Sequence, residues 1–173
     1  MRSRDHDERS GLSAAGSGPS TGAPRTPSPA KPLPSGMKAD DLELVESTGS
    51  VVLHDTCVPF TRVVPKYSKS SIKCGTEPAL RDPVWLVWFD SKARADDYLN
   101  QDVDVNVEGN SSGSCQSGKS RSGSWSGGRY TCFEYNNGYA ITWTIESRSV
   151  YASVADDSPT ALYAWWTDHR TLS

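Results

Sequence analysis

No run of apolar residues in this chain approaches the roughly 18 needed to cross a bilayer as a helix, and only 35% of its 173 residues are hydrophobic. The expectation is a soluble chain with a modest core and much of its length outside that core. The start, MRSRDHDERSGLSAAGSG, is charged but has no apolar stretch, so no export signal is read there and the chain as written is expected to stay in the cytoplasm. Charge of one sign is lacking too. With 18 Lys and Arg against 21 Asp and Glu the net charge is −3, and the basic residues are scattered. The collected phosphate-neutralising surface of a nucleic-acid binder is therefore not expected, and nucleic acid is excluded as a partner.

Close cysteine pairs are also missing. Structural zinc sites bring thiolates together on two-to-four-residue spacers, often with histidines, whereas here His54 and His169 stand apart and neither cysteine pair is close. No metal or other cofactor is expected. Catalytic motifs fare no better. His54 sits beside Asp55 just ahead of Cys57, but neighbours on an extended chain point to opposite faces, and no Gly-x-Ser-x-Gly elbow accompanies them. The segment GSWSGG at 123–128 lacks the Lys and the helix start that let a glycine loop cradle phosphate. Asp102, Asp104 and Asn106 followed by Gly109 have the alternating oxygens of a calcium loop, yet its sixth position is Val107 and its twelfth Gly113, where Gly and Glu belong. Asp96 with Asp97, and Asp156 with Asp157, are adjacent acids, a spacing that sets no catalytic separation. No catalytic residue is predicted and no ligand-binding residue can be named; an unidentified ligand or protein partner is the expectation.

What the chain does contain begins with Pro19, Pro24, Pro27, Pro29, Pro32 and Pro34 among Ser, Gly and Ala, which makes residues 1–39 a disordered or extended linker. Residues 40–173 form one domain. Asp40 and Asp41 can cap a short helix carrying Leu42, Leu44 and Val45. Residues 50–53 and 60–64 are β-branched or aromatic, but Pro59 and Pro65 restrict them to irregular or edge structure. A strand follows at 70–74, and the uninterrupted VWLVWF at 84–89 predicts a central strand buried on both faces. Asp90 or Ser91 then caps a helix to about Asn100. The alternation DVDVNVE at 102–108 puts three valines on one face of a half-buried strand.

Residues 110–128 read as a mobile Gly/Ser loop carrying Lys119, Arg121 and Trp125, with Trp125 plugging the core beneath the loop or facing a ligand. Asn136-Asn137-Gly138 between 129–135 and 139–145 is a tight hairpin, 149–155 is another strand, and Pro159 opens a C-terminal helix over 160–166. Trp85, Trp88, Trp143, Trp165 and Trp166 occupy core-like positions. The fold class is α+β: a mainly antiparallel sheet packed with two short helices and stabilised by disulfides.

The four cysteines, Cys57, Cys74, Cys115 and Cys132, leave sixteen residues between Cys57 and Cys74 and sixteen between Cys115 and Cys132. This is a disulfide-like framework, although four cysteines allow three pairings.

Taken with residues 84–89, Trp125, Gly128-Arg129, Cys132-Phe133, the ITWT of 141–144 and the Trp-rich 162–166, the cysteines make the chain resemble extracytoplasmic four-cysteine domains of actinobacterial membrane proteins, including some receptor-type serine/threonine protein kinases. The resemblance implies a noncatalytic, disulfide-bonded binding or sensor module outside the membrane, tethered upstream; of the three pairings, Cys57 with Cys74 and Cys115 with Cys132 is the expected one. It transfers no catalytic residue, since the kinase glycine-rich loop, His-Arg-Asp and Asp-Phe-Gly signatures are absent. Two other functions stand beside it: a small secreted enzyme with its site in the Gly/Ser loop near Trp125 and Arg129, and a cytoplasmic interaction protein with reduced cysteines.

Overall fold

The computed structural model describes residues 36–49, 52–62, 64–107 and 113–171, and most of the expected linker, up to residue 35, lies outside them. Seven strands run in chain order as β1 (Leu53–Pro59), β2 (Ser68–Gly75), β3 (Val84–Phe89), β4 (Arg121–Trp125), β5 (Gly128–Tyr135), β6 (Gly138–Ile145) and β7 (Val150–Asp156). Three helices accompany them: α1 (Ala39–Ser47), α2 (Lys92–Asn106) and α3 (Pro159–His169). The strands form one sheet in the order β1-β2-β3-β7-β6-β5-β4, antiparallel at every pairing. This is the expected disulfide-stabilised α+β class, with helices on both faces of the sheet.

Period-two alternation decides which residues meet which helix. Val84 and Leu86 of β3, Val150, Ala152 and Val154 of β7, and Ile141, Trp143 and Ile145 of β6 join α1 and α3 in the main core. The opposite side of the same strands places Val87, Phe89 and Tyr151 with Ala95 and Leu99 of α2. A sheet covered on both faces explains why VWLVWF is apolar throughout and sits centrally, as its sequence predicts.

Local signals account for most boundaries. The Asp41 carboxylate accepts from the Lys38 amide (2.9 Å) at the start of α1 and from the Ser70 hydroxyl (2.6 Å), tying that helix to β2. Ser158 caps α3 by accepting from the Ala161 amide, and Pro159 fills the first helical position. Asn136 and Asn137 take φ of 48° and 62°, the left-handed pair of a two-residue turn, with Tyr135 opposite Gly138. Leu53–Pro59 is an edge strand with a register shift, in keeping with the prolines around it.

Two segments differ from expectation. Residues 102–106, read as a half-buried strand, continue α2 to Asn106. The helix buries Ala95 and Leu99, and Asp102 and Asn106 follow at the next turns of that stripe, lining the space against the sheet. Val105 consequently stands 80% exposed rather than in a buried valine row. The expected Gly/Ser loop is the second difference. After a single 3-10 turn at Cys115–Ser117, residues 121–125 become β4, paired with β5 from Arg121 opposite Cys132 to Trp125 opposite Gly128. Glycine and serine are poor strand formers alone, but an open edge of β5 supplies the ladder they need. Residues 110–112 of that segment lie outside the described residues.

Candidate ligand-binding cavity

Both disulfides form in the expected pairing, Cys57 with Cys74 and Cys115 with Cys132. All four cysteines are buried on the α1/α3 side of the sheet. Cys57 joins edge strand β1 to β2, and Cys115 joins the 3-10 turn ahead of edge strand β4 to β5.

The opposite side holds a cavity of about 240 Å³ between the second half of α2 and the sheet. Its floor comes from two cross-strand rows. One is polar: Lys73, Trp85, Ser153 and Thr142 are successive partners across β2, β3, β7 and β6. The next is apolar: Ala155, Ala140 and Phe133 lie side by side on β7, β6 and β5. Asp102 and Asn106 of α2 form the roof, with Tyr135 and Asp82 also on the lining.

Asp102 is the chemical centre of this cavity. Its Oδ2 accepts a 2.6 Å hydrogen bond from the Tyr151 hydroxyl. Burial raises the Asp102 carboxyl above its usual range; the Tyr151 bond, and the Thr142 hydroxyl nearby, pull the other way without cancelling that cost. Burial likewise pushes the Tyr151 phenol well up, the Asp102 charge adding to it, and Tyr98 is raised by burial and then by the same carboxylate. Asp102 is half-buried, and no ion pair to it occurs among the described residues. Thr142 Oγ1 is buried on the floor beside this carboxylate. A buried hydroxyl and an unneutralised carboxylate facing one cavity form a site able to hold a polar molecule.

The residues singled out from the sequence fall elsewhere. His54 lies on β1 with Nε2 at 2.5 Å from the Gly49 carbonyl, at the edge opposite β4, so it does not meet the Gly/Ser segment. Trp125 packs against the main core with Arg170 over its ring, which is the core-plugging alternative. Arg129 projects to the other face and donates to Asn100 of α2 (2.8 Å). Asp96 pairs with Lys92, and Asp157 with Arg81. Asp102 and Asn106, calcium-like in sequence, lie on a helix, and no cluster of metal-binding side chains occurs among the described residues.

Three tryptophans expected in the core, Trp143, Trp165 and Trp166, are buried, whereas Trp85 is half-buried, donates to Ser71 Oγ (2.8 Å) and lines the cavity. Trp88 is half-buried too, beneath the Lys69 ammonium. Sequence reasoning missed Asp102, Tyr151, Thr142 and Ser153 as a set. The one available signal was the Thr-Trp-Thr alternation at 142–144, which marks a strand with a polar face. No protein-family model, curated protein or solved structure matches this chain.

Proposed function

We propose that this chain is a noncatalytic, extracytoplasmic binding or sensor module, the outer part of a membrane-anchored signalling protein, with the cavity under α2 as its ligand site. The observation that carries the proposal is the pair of buried disulfides, one toward each edge of the sheet. Such bridges form and persist in oxidising compartments and are rare in the cytosol. The cavity supports the binding role: its floor is built on regular strands, so a ligand would meet preset groups, as binding sites on rigid scaffolds do. No helix among the described residues is long and apolar enough to cross a membrane, so an anchor is sought outside them.

The test is peptide mapping by mass spectrometry, without reduction, of protein taken from its native compartment. Disulfide-linked peptides containing Cys57 with Cys74 and Cys115 with Cys132 are expected. Four free thiols would overturn the extracytoplasmic assignment.

A further inference from the structure

We infer that the ligand of the α2 cavity is a small organic cation, a primary amine or quaternary ammonium with a short apolar body; the inference rests on the cavity being the binding site. Four observations converge. Asp102 is a cavity-lining carboxylate whose described side-chain neighbours, the Tyr151 and Thr142 hydroxyls, are neutral donors. Removing a carboxylate from water without a counter-charge is costly, and a cation entering the cavity offsets that cost where a neutral or anionic molecule does not.

Neither of the described cations next to the cavity forms an ion pair with Asp102. Lys73 reaches the rim but sits 4.2 Å from the centre of the Phe60 ring, and Arg81 is committed to Asp82 and Asp157. Aromatic rings supply the third observation: Trp85, Phe133 and Tyr135 line the same space, and ring faces attract ammonium groups. The fourth is the Thr142 hydroxyl, 1% exposed on the floor beside Asp102, whose oxygen can accept from an N–H of a primary amine near Ser153.

Size narrows the class further. At about 240 Å³ the cavity falls below the usual range for drug-sized ligands and suits a molecule on the order of ten non-hydrogen atoms. The apolar row of Ala155, Ala140 and Phe133 would take its carbon body, with the charged end under Asp102.

The experiment is calorimetric titration of the disulfide-intact protein with choline, ethanolamine and putrescine. Each is compared with 3,3-dimethylbutan-1-ol, the uncharged isostere of choline, and with glucose and succinate. At least one ammonium compound is expected to bind, at least tenfold more tightly than the isostere, in a comparison that needs no variant. Asp102→Asn keeps the acceptor for Tyr151 and is expected to weaken binding tenfold or more; Thr142→Val, of the same shape, is expected to weaken the primary amines several-fold and choline little.

Tighter binding of the neutral isostere, glucose or succinate, abolished by Thr142→Val or Trp85→Leu, would overturn the cation class and leave the cavity as the site. Ammonium binding unchanged in Asp102→Asn would also overturn it. No binding by any of the six probes would overturn the cation class together with the cavity's role as the site, while the disulfide mapping still decides the extracytoplasmic assignment.

Discussion

The 2.6 Å hydrogen bond from the Tyr151 hydroxyl to Asp102 is where single substitutions tell most. Tyr151→Phe keeps the ring in the α2 core but removes the donor, leaving the half-buried carboxylate less satisfied. A loss of about 1–3 kcal/mol is expected from urea denaturation at neutral pH, together with a further rise of the Asp102 titration followed by carboxyl NMR. The sign of the pH dependence follows from the raised carboxyl. Because folding favours its protonated form, the contribution of Asp102 is fully present below its unfolded value near 3.8 and is lost as pH rises through the higher folded value. The unfolding free energy of the native protein relative to Asp102→Asn is therefore expected to fall as pH rises from about 4 toward neutrality. Of the groups facing Asp102, Tyr98 on its own helix and Tyr151 on β7 stay neutral there, their phenols being raised, while Lys73 on β2 and Asp82 before β3 lie across the cavity. A difference that rises with pH would contradict the burial-driven shift.

Strands β5 and β6 meet closely at Gly128, at the element scale. A Cβ there would lie 2.1 Å from the Thr144 carbonyl oxygen, a backbone atom that cannot step aside. Gly128→Ala is expected to cost about 1–3 kcal/mol in denaturant unfolding through overpacking. This position was read from the sequence as the end of a loop, because glycine and serine carry no strand preference of their own. By contrast the β5–β6 hairpin was legible, since Asn136 and Asn137 tolerate the positive φ its turn requires. Helix α2 was half legible: Ala93, Ala95, Tyr98 and Leu99 read as its apolar face, but Ala93 is exposed, and Asp102 and Asn106 continue the Ala95–Leu99 stripe with polar side chains. Those residues concealed the helix because they line the cavity, and a site is where local pattern and tertiary role are expected to disagree.

The described residues build one seven-stranded sheet, and a disulfide restrains the chain near each of its edge strands. Closing a loop of this length stabilises a fold by about 3 kcal/mol in the chain-entropy account. Replacing Cys57 and Cys74 together by Ser, or Cys115 and Cys132 together, is expected to lower the unfolding free energy by about that amount, and roughly additively when both bridges are removed. Denaturant curves of the two double variants and the quadruple variant check this. A domain of this size commonly has only 5–15 kcal/mol in hand, so reductant alone is expected to lower the Tm of the native protein sharply in a thermal scan.

The sequence by itself determined the fold class, the central VWLVWF strand, the tight hairpin and the capped C-terminal helix. These depend on local causes: side-chain periodicity, φ preference and the missing amide of proline. The sixteen-residue spacings pointed to a disulfide framework without deciding which cysteines meet. Only the tertiary structure decided that β4 exists, that α2 runs on to Asn106, and that Asp102, Thr142, Tyr151 and Ser153 share one cavity. Those residues come from a helix and two strands and become neighbours through strand register and helix placement. Register couples positions distant along the chain, and no local propensity encodes it.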